Sequence, residues 1–417
     1  MFKKSNICRI CKSDKIKIAF NLGSIPLGEN FFFKKQHALN SKKYPLTICW
    51  CKNCKNIQVR EIIDPKILWK KYTYISGQTN AILKHFSNFA QKVIKRFRLT
   101  KNDLIIDIGS NDGSLLKFFK KKKIRVLGVD PAKSIVKIAN KNKIKTLEGL
   151  FDEKISKKIK KKYSSAKIIT AFNVFAHTEN LIGMLKAVKN LLEQRGTFIF
   201  EVQYLDDIYK KKILGTFFHE HMYHHSVTSL NNFFKNYDMK LFRVERVNIQ
   251  KGSIIGYVSK DDKIKVESSV KKFLDYEKNI KLFHYSRLKK FKEYILHQRG
   301  KILKIIKYYD KKGQIAGYGA ARSGPILAIN FGIDKYISYI FDDHKLKVNK
   351  YSSFNGLKVI PTIDLLKLMP NLCVILAYLH SKKIIRANKE YLKKGGKFLI
   401  LHPKIMLITK KNMKLYD

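Results

Sequence analysis

The chain has 417 residues, enough for two or three domains with cores of their own. Its hydrophobic content of 45% is ordinary for a globular protein. No apolar run approaches the ~18 residues that a spanning helix needs, so no membrane partner is expected. The formal net charge of +54 points at first to nucleic acid or a membrane surface. The excess, however, is overwhelmingly Lys rather than Arg, is spread through every predicted helix, and travels with abundant Ile, Asn, Tyr and Phe, all encoded by A/T-rich codons. Arg, the residue that reads phosphate bidentately, is scarce. The charge therefore implies a general attraction for anionic substrates, and nucleic acid is not an expected partner.

The N-terminal residues Met-Phe-Lys-Lys-Ser-Asn lead directly to a cysteine motif without the apolar segment of a signal peptide, so a cytoplasmic protein with reduced thiols is expected. Cys8-Arg9-Ile10-Cys11 and Cys51-Lys52-Asn53-Cys54 are two Cys-x-x-Cys knuckles, and four thiolates at that spacing make a tetrahedral structural zinc site. Such a site has no open position, so this zinc holds the fold and does no chemistry. Two separate pairs without a thioredoxin-like context argue against a redox role. Cys49 is spare, and Cys373 lies in a later apolar strand as core. Residues 69–77 (Trp-Lys-Lys-Tyr-Thr-Tyr-Ile-Ser-Gly) are aromatic-rich and end in turn chemistry. The residues alone leave open whether Tyr72 and Tyr74 are core or face a ligand.

Apolar spacing predicts a helix over 81–97. Next comes the stretch 104–131: Leu-Ile-Ile-Asp-Ile-Gly-Ser-Asn-Asp-Gly, a helix starting near 115, then Ile-Arg-Val-Leu-Gly-Val-Asp-Pro. This is a βαβ unit of nucleotide-binding type. Gly109 and Gly113 allow a sharp turn and close approach of a ligand. Asp130, about 20 residues past the turn, is placed to accept from ribose hydroxyls. A dinucleotide fingerprint would read Gly-x-Gly-x-x-Gly; here Asn111 stands where the middle glycine would be, and Asp107 at the strand end suits a cationic ligand. The pattern resembles the first motif of class I S-adenosylmethionine (SAM) methyltransferases. The cofactor candidates are Asp107, Gly109, Ser110, Asn111, Gly113 and Asp130. To these are added Phe151, at the end of a short third strand and loop spanning 147–151, where it would cover an adenine, and Asn173, at the C-terminal end of a fourth strand at 166–175. Ligands of open α/β sheets bind at such strand ends, which places His177 there too. A helix over 134–140 and a fifth strand at 196–202 complete this part.

Residues 217–226 (Phe-Phe-His-Glu-His-Met-Tyr-His-His-Ser) hold four of the chain's 12 histidines. Zincin spacing is absent, which weakens a metal reading. An imidazole beside a carboxylate makes a good general base. His224 and His225 are the candidates for plain core or surface roles. Residues 261–312 are charged, with sparse apolar positions at helical spacing, and read as a long helical connector. A second βαβ unit follows: Ile-Ala-Gly-Tyr-Gly-Ala-Ala-Arg-Ser-Gly from Ile315, a helix, and a strand at 336–341 ending in Asp342-Asp343. Further strands are expected at 357–360, 373–377 and 397–401. Gly317 and Gly319 suggest approach to phosphate, or a retained Rossmann-like shell.

Together the two knuckles, Asp-Ile-Gly-Ser-Asn-Asp-Gly, Asn-Val-Phe-Ala-His, His-Glu-His and Gly-Tyr-Gly-Ala resemble, in order and over nearly the whole chain, the sugar C-methyltransferases, which build 3-C-methylated deoxysugars on nucleotide carriers. The resemblance implies an α/β protein with a zinc-binding domain (1–70), a class I SAM methyltransferase domain (71–260), the connector (261–312) and a C-terminal Rossmann-like domain that helps hold the nucleotide sugar (313–417). It places His221 at the family's general base and Glu220, His177 and Tyr72 at other active-site positions. Substrate contacts are expected from Tyr74, Tyr223, Tyr318, Gly319, Arg322 and Lys347. One departure is Phe218, where the family has a tyrosine before His-Glu-His; any role of that hydroxyl is lost or moved, with Tyr223 a candidate. The expected chemistry is removal of a proton α to a sugar ketone by His221, oriented by Glu220, with His177 stabilising the enolate oxygen and SAM supplying an electrophilic methyl. A monomer is favoured. The alternative is a methyltransferase of RNA or of another small molecule, again with a structural zinc; a binding protein that keeps SAM without a base would lack His177 and His221.

Overall fold

The computed structural model describes residues 2–28, 30–68 and 74–416. The chain forms two compact units, each assembled from discontinuous segments: 1–17, 49–208 and 220–284 in the first, and 18–48, 209–219 and 285–417 in the second.

The first unit is built on a seven-stranded sheet. Its strands are β1 (Leu104–Ile108), β2 (Arg125–Asp130), β3 (Thr146–Glu148), β4 (Ala166–Phe172), β5 (Leu192–Gln203), β6 (Lys240–Val247) and β7 (Ser253–Ser259). Their spatial order is β6-β7-β5-β4-β1-β2-β3. β1 to β5 are parallel and β7 runs antiparallel to both β5 and β6. The central β1 is buried at every position, as a strand covered on both faces must be. Asp107 is in register with Thr170 on one side and Gly128 on the other, so the C-terminal ends of the three central strands are level.

A helix at Asn80–Phe97 buries Phe86, Phe89, Ala90 and Val93, spaced at three and four residues, against Leu115, Phe119, Phe172 and Tyr257. It ends at Phe97, the expected limit, and is capped by Arg98 in the left-handed conformation. β5 begins at Leu192, earlier than expected, because a register shift between Ala166 and Ile168 lets the strand continue through the polar residues before Gly196. Near the N-terminus, Phe2–Lys4 pairs with Glu61–Ile63, and Ile57–Val59 pairs antiparallel with Tyr223–His224.

The charged stretch after the sheet holds two helices, Ser268–Asn279 in the first unit and Tyr285–Asp310 in the second. Glu277 of the former is fully buried and accepts from the amides of Val227 (2.7 Å) and Thr228 (2.8 Å) at the start of the helix Val227–Lys235. A carboxylate there satisfies orphan amides and complements the helix dipole.

The second unit has strands β8 (Ile315–Tyr318), β9 (Ile337–Phe341), β10 (Tyr351–Ser352), β11 (Lys358–Ile360), β12 (Leu372–Ile375), β13 (Phe398–Ile400) and β14 (Met406–Ile408). They lie in the order β14-β13-β12-β8-β9-β11-β10, and the short strand Phe31–Phe32 adds to β10. The five inner strands are parallel. Cys373 is fully buried in this core among Phe341, Tyr391 and Phe398. No described helix is long and apolar enough to cross a membrane.

Candidate active site and zinc site

The loop after β1 is held in a conformation its residues dictate. Gly109, Asn111 and Gly113 have φ of +66°, +51° and +78°. A Cβ on Gly109 would stand 2.3 Å from Val174, and one on Gly113 2.7 Å from Ile144, so neither position admits a side chain. Gly109 donates its amide to the Val129 carbonyl (2.7 Å), and Ser110 packs on Gly128. Asp130 ends β2 and accepts from the amides of Asn111 (3.0 Å) and Ala132 (2.9 Å), which fixes its carboxylate beside the loop. The Asn111 side chain is committed to protein: its amide nitrogen donates to the Tyr74 carbonyl (3.0 Å) and its oxygen accepts from the Ser76 amide (2.9 Å). Asp112 likewise accepts from Gly77 (3.2 Å). Residues 74–77 are thereby strapped to the loop. Phe151 is half-buried, and Asn173, with φ of +56°, donates its amide to the Glu201 carbonyl (2.9 Å).

Electrostatics single out the kind of ligand this strand edge accepts. Asp107, Asp112, Asp130 and Glu201 are all buried at the ends of β1, β2 and β5 or in the glycine loop. In a chain of net charge +54, the only described Lys or Arg that is buried is Arg9, in the first cysteine knuckle. An acid-rich edge in a cationic protein suits a sulfonium with an ammonium group and disfavours a pyrophosphate. The residues therefore fit SAM, at the edge where Asp130 and the glycine loop lie side by side.

Asp107 is spent on the Thr170 hydroxyl, which donates to it at 2.6 Å. Burial pushes its carboxyl up to about 7, opposed by that bond and reinforced by Asp130. The folded value lies above the ~3.9 of an unfolded aspartate. The native state thus holds a proton that the unfolded chain has released, and this contribution to stability is full below about pH 4 and lost as pH rises through about 7. Asp107→Asn should flatten the slope: between pH 5 and 8 its melting temperature should fall less than that of the wild type. Parallel slopes for the two proteins in calorimetry without SAM would contradict the assignment.

The histidines divide by environment. After β4 the chain turns through Asn173 and Phe175 to His177, whose amide donates to Val174 (2.7 Å). Met222 donates its amide to the Ala176 carbonyl (2.9 Å), and this bond brings the segment carrying His221 alongside. The His177 and His221 rings stack at 4.9 Å with 24° between their planes, and both are partly accessible. Glu220, beside His221 in sequence, is buried. His219 belongs to the second unit, 2% exposed, with Nε2 at 3.0 Å from the Pro45 carbonyl and its ring edge-on to Tyr44. His224 and His225 are buried. Burial, together with the neighbouring imidazoles, pushes His224 well down, and burial lowers His225 to about 4 against the effect of a bond to the Phe175 backbone. The His225 ring lies between Phe175 and Tyr223, 5.8 Å from each. Both stay neutral near pH 7. Tyr223 is 2% exposed and its hydroxyl donates to the Glu179 carbonyl (3.2 Å), so it is occupied by the fold. Tyr72 lies outside the described residues, and Tyr74 is exposed.

One pair escaped the sequence reading. Glu201, 1% exposed near the end of β5, is 2.5 Å from His85 Nε2 and accepts from the Asn173 side chain (3.2 Å). Its signal was an acid inside the apolar run Thr-Phe-Ile-Phe-Glu-Val.

In the second unit the loop after β8 repeats the device seen after β1. Gly319, with φ of +88°, donates its amide to Phe341 (2.7 Å), and Asp342 accepts from the amides of Ala320 (2.7 Å) and His344 (2.8 Å). Lys347 donates to the Ala320 carbonyl (3.0 Å), and Arg322 lies 5.6 Å over the ring of Phe218. The Tyr318 hydroxyl accepts from Asn388 (3.0 Å).

The four knuckle cysteines converge, with all Sγ atoms within 4.8 Å of one another. Cys8 and Cys54 are 3.5 Å apart and Cys11 and Cys51 3.6 Å. A zinc ion with bonds of about 2.3 Å to four sulfurs needs sulfur separations near ~3.8 Å, so the set fits. Hydrogen bonds from Cys54 and Cys8 lower Cys51, while hydrogen bonding to Cys51 raises Cys8 and Cys54. Cys49 is outside the set, a buried thiol that desolvation pushes up to about 11.

Three family models match the chain in succession: "Putative zinc binding domain" over residues 8–69, "Methyltransferase domain" over 82–244 and "C-methyltransferase C-terminal domain" over 248–403. A curated relative, C-methyltransferase NovU of Streptomyces niveus, is 26% identical over 405 residues, covering 96% of each chain. Among solved structures, a SAM-dependent methyltransferase from Clostridium acetobutylicum aligns with 14% identity and a TM-score of 0.34 over 47% of this chain and 95% of its own. The magnesium protoporphyrin IX methyltransferase of Synechocystis with bound SAH aligns with 15% identity and a TM-score of 0.34, over 42% of this chain and 82% of its own. With a strand order of class I type, a glycine loop, a four-cysteine zinc site and these three matches in sequence, the chain is a SAM-dependent methyltransferase with an N-terminal zinc-binding part, similar along nearly its whole length to a C-methyltransferase.

Proposed function

We propose that the protein methylates a sugar carbon next to a ketone on a nucleotide-linked deoxysugar, through an enolate formed by His221. The observation that carries this reading is the stacked, partly accessible pair His177 and His221 beside the C-terminal end of β4. A saturated sugar carbon is not nucleophilic; removal of the proton α to a ketone makes it so. His221 takes that proton, Glu220 fixes its orientation, and His177 donates to the enolate oxygen. Bound SAM supplies an electrophilic methyl, and the glycine loop and Asp130 hold it in line with the carbon. Tyr74 contacts the sugar, and Tyr72 is assigned to the catalytic set with His221, Glu220 and His177. The nucleotide is held by the C-terminal part, 313–417, where Gly319, Arg322 and Lys347 surround a loop built like the SAM loop. Residues 1–70 form the zinc-binding part, 71–260 the SAM-binding part and 261–312 the helical connection. The enzyme acts as a cytoplasmic monomer.

The test is isotopic. In heavy water without SAM, a nucleotide 4-keto-6-deoxysugar should exchange its α proton in the presence of the protein; with SAM, the same carbon should gain a methyl. Bulk RNA should accept none. Methylation of RNA without exchange on any ketosugar would replace this reading with the RNA one.

A further inference from the structure

We infer that Arg9, inside the first zinc knuckle, is a positioning residue for His221. The inference rests on the proposed role of His221 only for its kinetic consequence; the geometry stands without it.

Arg9 lies between the ligands Cys8 and Cys11 and is 6% exposed. Its Nη2 donates to two carbonyls at once, Val59 at 2.8 Å and Met222 at 2.9 Å. Its guanidinium lies 4.8 Å over the ring of Tyr223, and its backbone amide donates to the Gln58 side chain (3.0 Å). Met222 and Tyr223 directly follow His221. The Val59 amide in turn donates to the Met222 carbonyl (3.0 Å), and Tyr223 pairs with Gln58 in the ladder between Ile57–Val59 and Tyr223–His224. On its other side the same segment is bonded to Ala176, the neighbour of His177, and to Glu179.

The segment after His221 is therefore clamped between the turn that carries His177 and the knuckle that the zinc would organise. Burying a guanidinium for neutral carbonyls is an expensive way to stabilise a fold. Its geometric product is specific: one cation fixes two backbone oxygens and one ring, all on the segment that carries His221 or on the strand paired with it. Arg9 thus ties the first knuckle to the histidine segment, alongside the ladder between Ile57–Val59 and Tyr223–His224.

The test uses the full zinc-loaded chain, with Arg9→Gln and Arg9→Lys. Glutamine removes the charge and is too short to reach the position of Nη2, whereas lysine keeps the charge and its donors but loses the planar guanidinium over Tyr223. In histidine-labelled protein, with imidazole signals assigned through His221→Gln and His177→Gln, the signals of His221 and His177 should shift in Arg9→Gln while that of His85 stays. Zinc content and SAM affinity should match the wild type within about twofold. The α-proton exchange rate should fall on the order of 10- to 100-fold, as expected when a reacting group is displaced by about an ångström. Arg9→Lys should be intermediate in both readouts. Either variant holding zinc with wild-type His221 signals overturns the proposal, as does loss of zinc in both variants, since Arg9 would then serve the knuckle itself. Should His221→Ala retain exchange, the identity of the base is wrong, and the imidazole shifts still decide the role of Arg9.

Discussion

His221→Ala should bind SAM as the wild type does and yet lose both methyl transfer and α-proton exchange. The expected loss is on the order of 10²–10⁴ in rate, the range for a positioned general base. Exchange is the sharper readout because it needs the base and not the methyl. SAM affinity should be spared because the loop 109–113 is held by Val129, Asp130 and residues 74–77, none of them in the 220–224 segment. The neighbouring imidazoles are poor substitutes. His219 is bonded at Pro45, and His224 and His225 are buried, with protonation disfavoured by desolvation. His177→Ala should slow both processes less, if backbone or water donors share the enolate oxygen. Exchange at the wild-type rate in His221→Ala would move the base elsewhere, with Tyr72 and His177 the next to replace.

How much of this was legible beforehand follows from what each signal depends on. The strands β1, β2 and β4 and their glycine loop were readable because a doubly covered parallel strand must be continuously apolar, and the turn after it must be glycine. The cysteine set was readable because ligand spacing within a knuckle is local. β6 and β7 were not read. β6 is the edge strand, and its polar positions Arg243 and Glu245 break the apolar run. β7, paired on both sides and buried throughout, instead carries the short apolar run 254–258, which by length and composition alone does not separate a strand from a buried helical turn. Glu277 was lost among charges for a related reason: in a lysine-rich helix nothing marks one carboxylate as buried, and its partners Val227 and Thr228 lie some fifty residues away. The Met222 to Ala176 bond that aligns the histidines is equally non-local. The commitments of Asn111 and Tyr223 were hidden because residue type announces what a side chain can bind, and only the fold decides what it does bind.

Cys51→Ser should lower the stability of the whole first unit, not just of the knuckle. A structural zinc contributes roughly 10–16 kcal/mol of apparent binding free energy in small peptides, against a total of about 5–15 kcal/mol for an ordinary domain. Even a fraction of it therefore dominates. The structure indicates where the loss would spread. Cys51 and Cys54 border the strand Ile57–Val59, which pairs with Tyr223–His224, while Arg9 ties the other knuckle to Val59 and Met222. Without zinc, buried thiols and a buried guanidinium remain in place with their organising charge removed, a costly state. Metal analysis of the wild type should give about one zinc per chain, and Cys51→Ser should give none. Its denaturation midpoint should drop by an amount that a chelator reproduces in the wild type. Cys49→Ser is the control: Cys49 is 1% exposed but outside the sulfur cluster, so this variant should keep its zinc and lose only the smaller cost of a buried hydroxyl. A metal-free chain with the wild-type midpoint would remove the zinc from the structural account altogether.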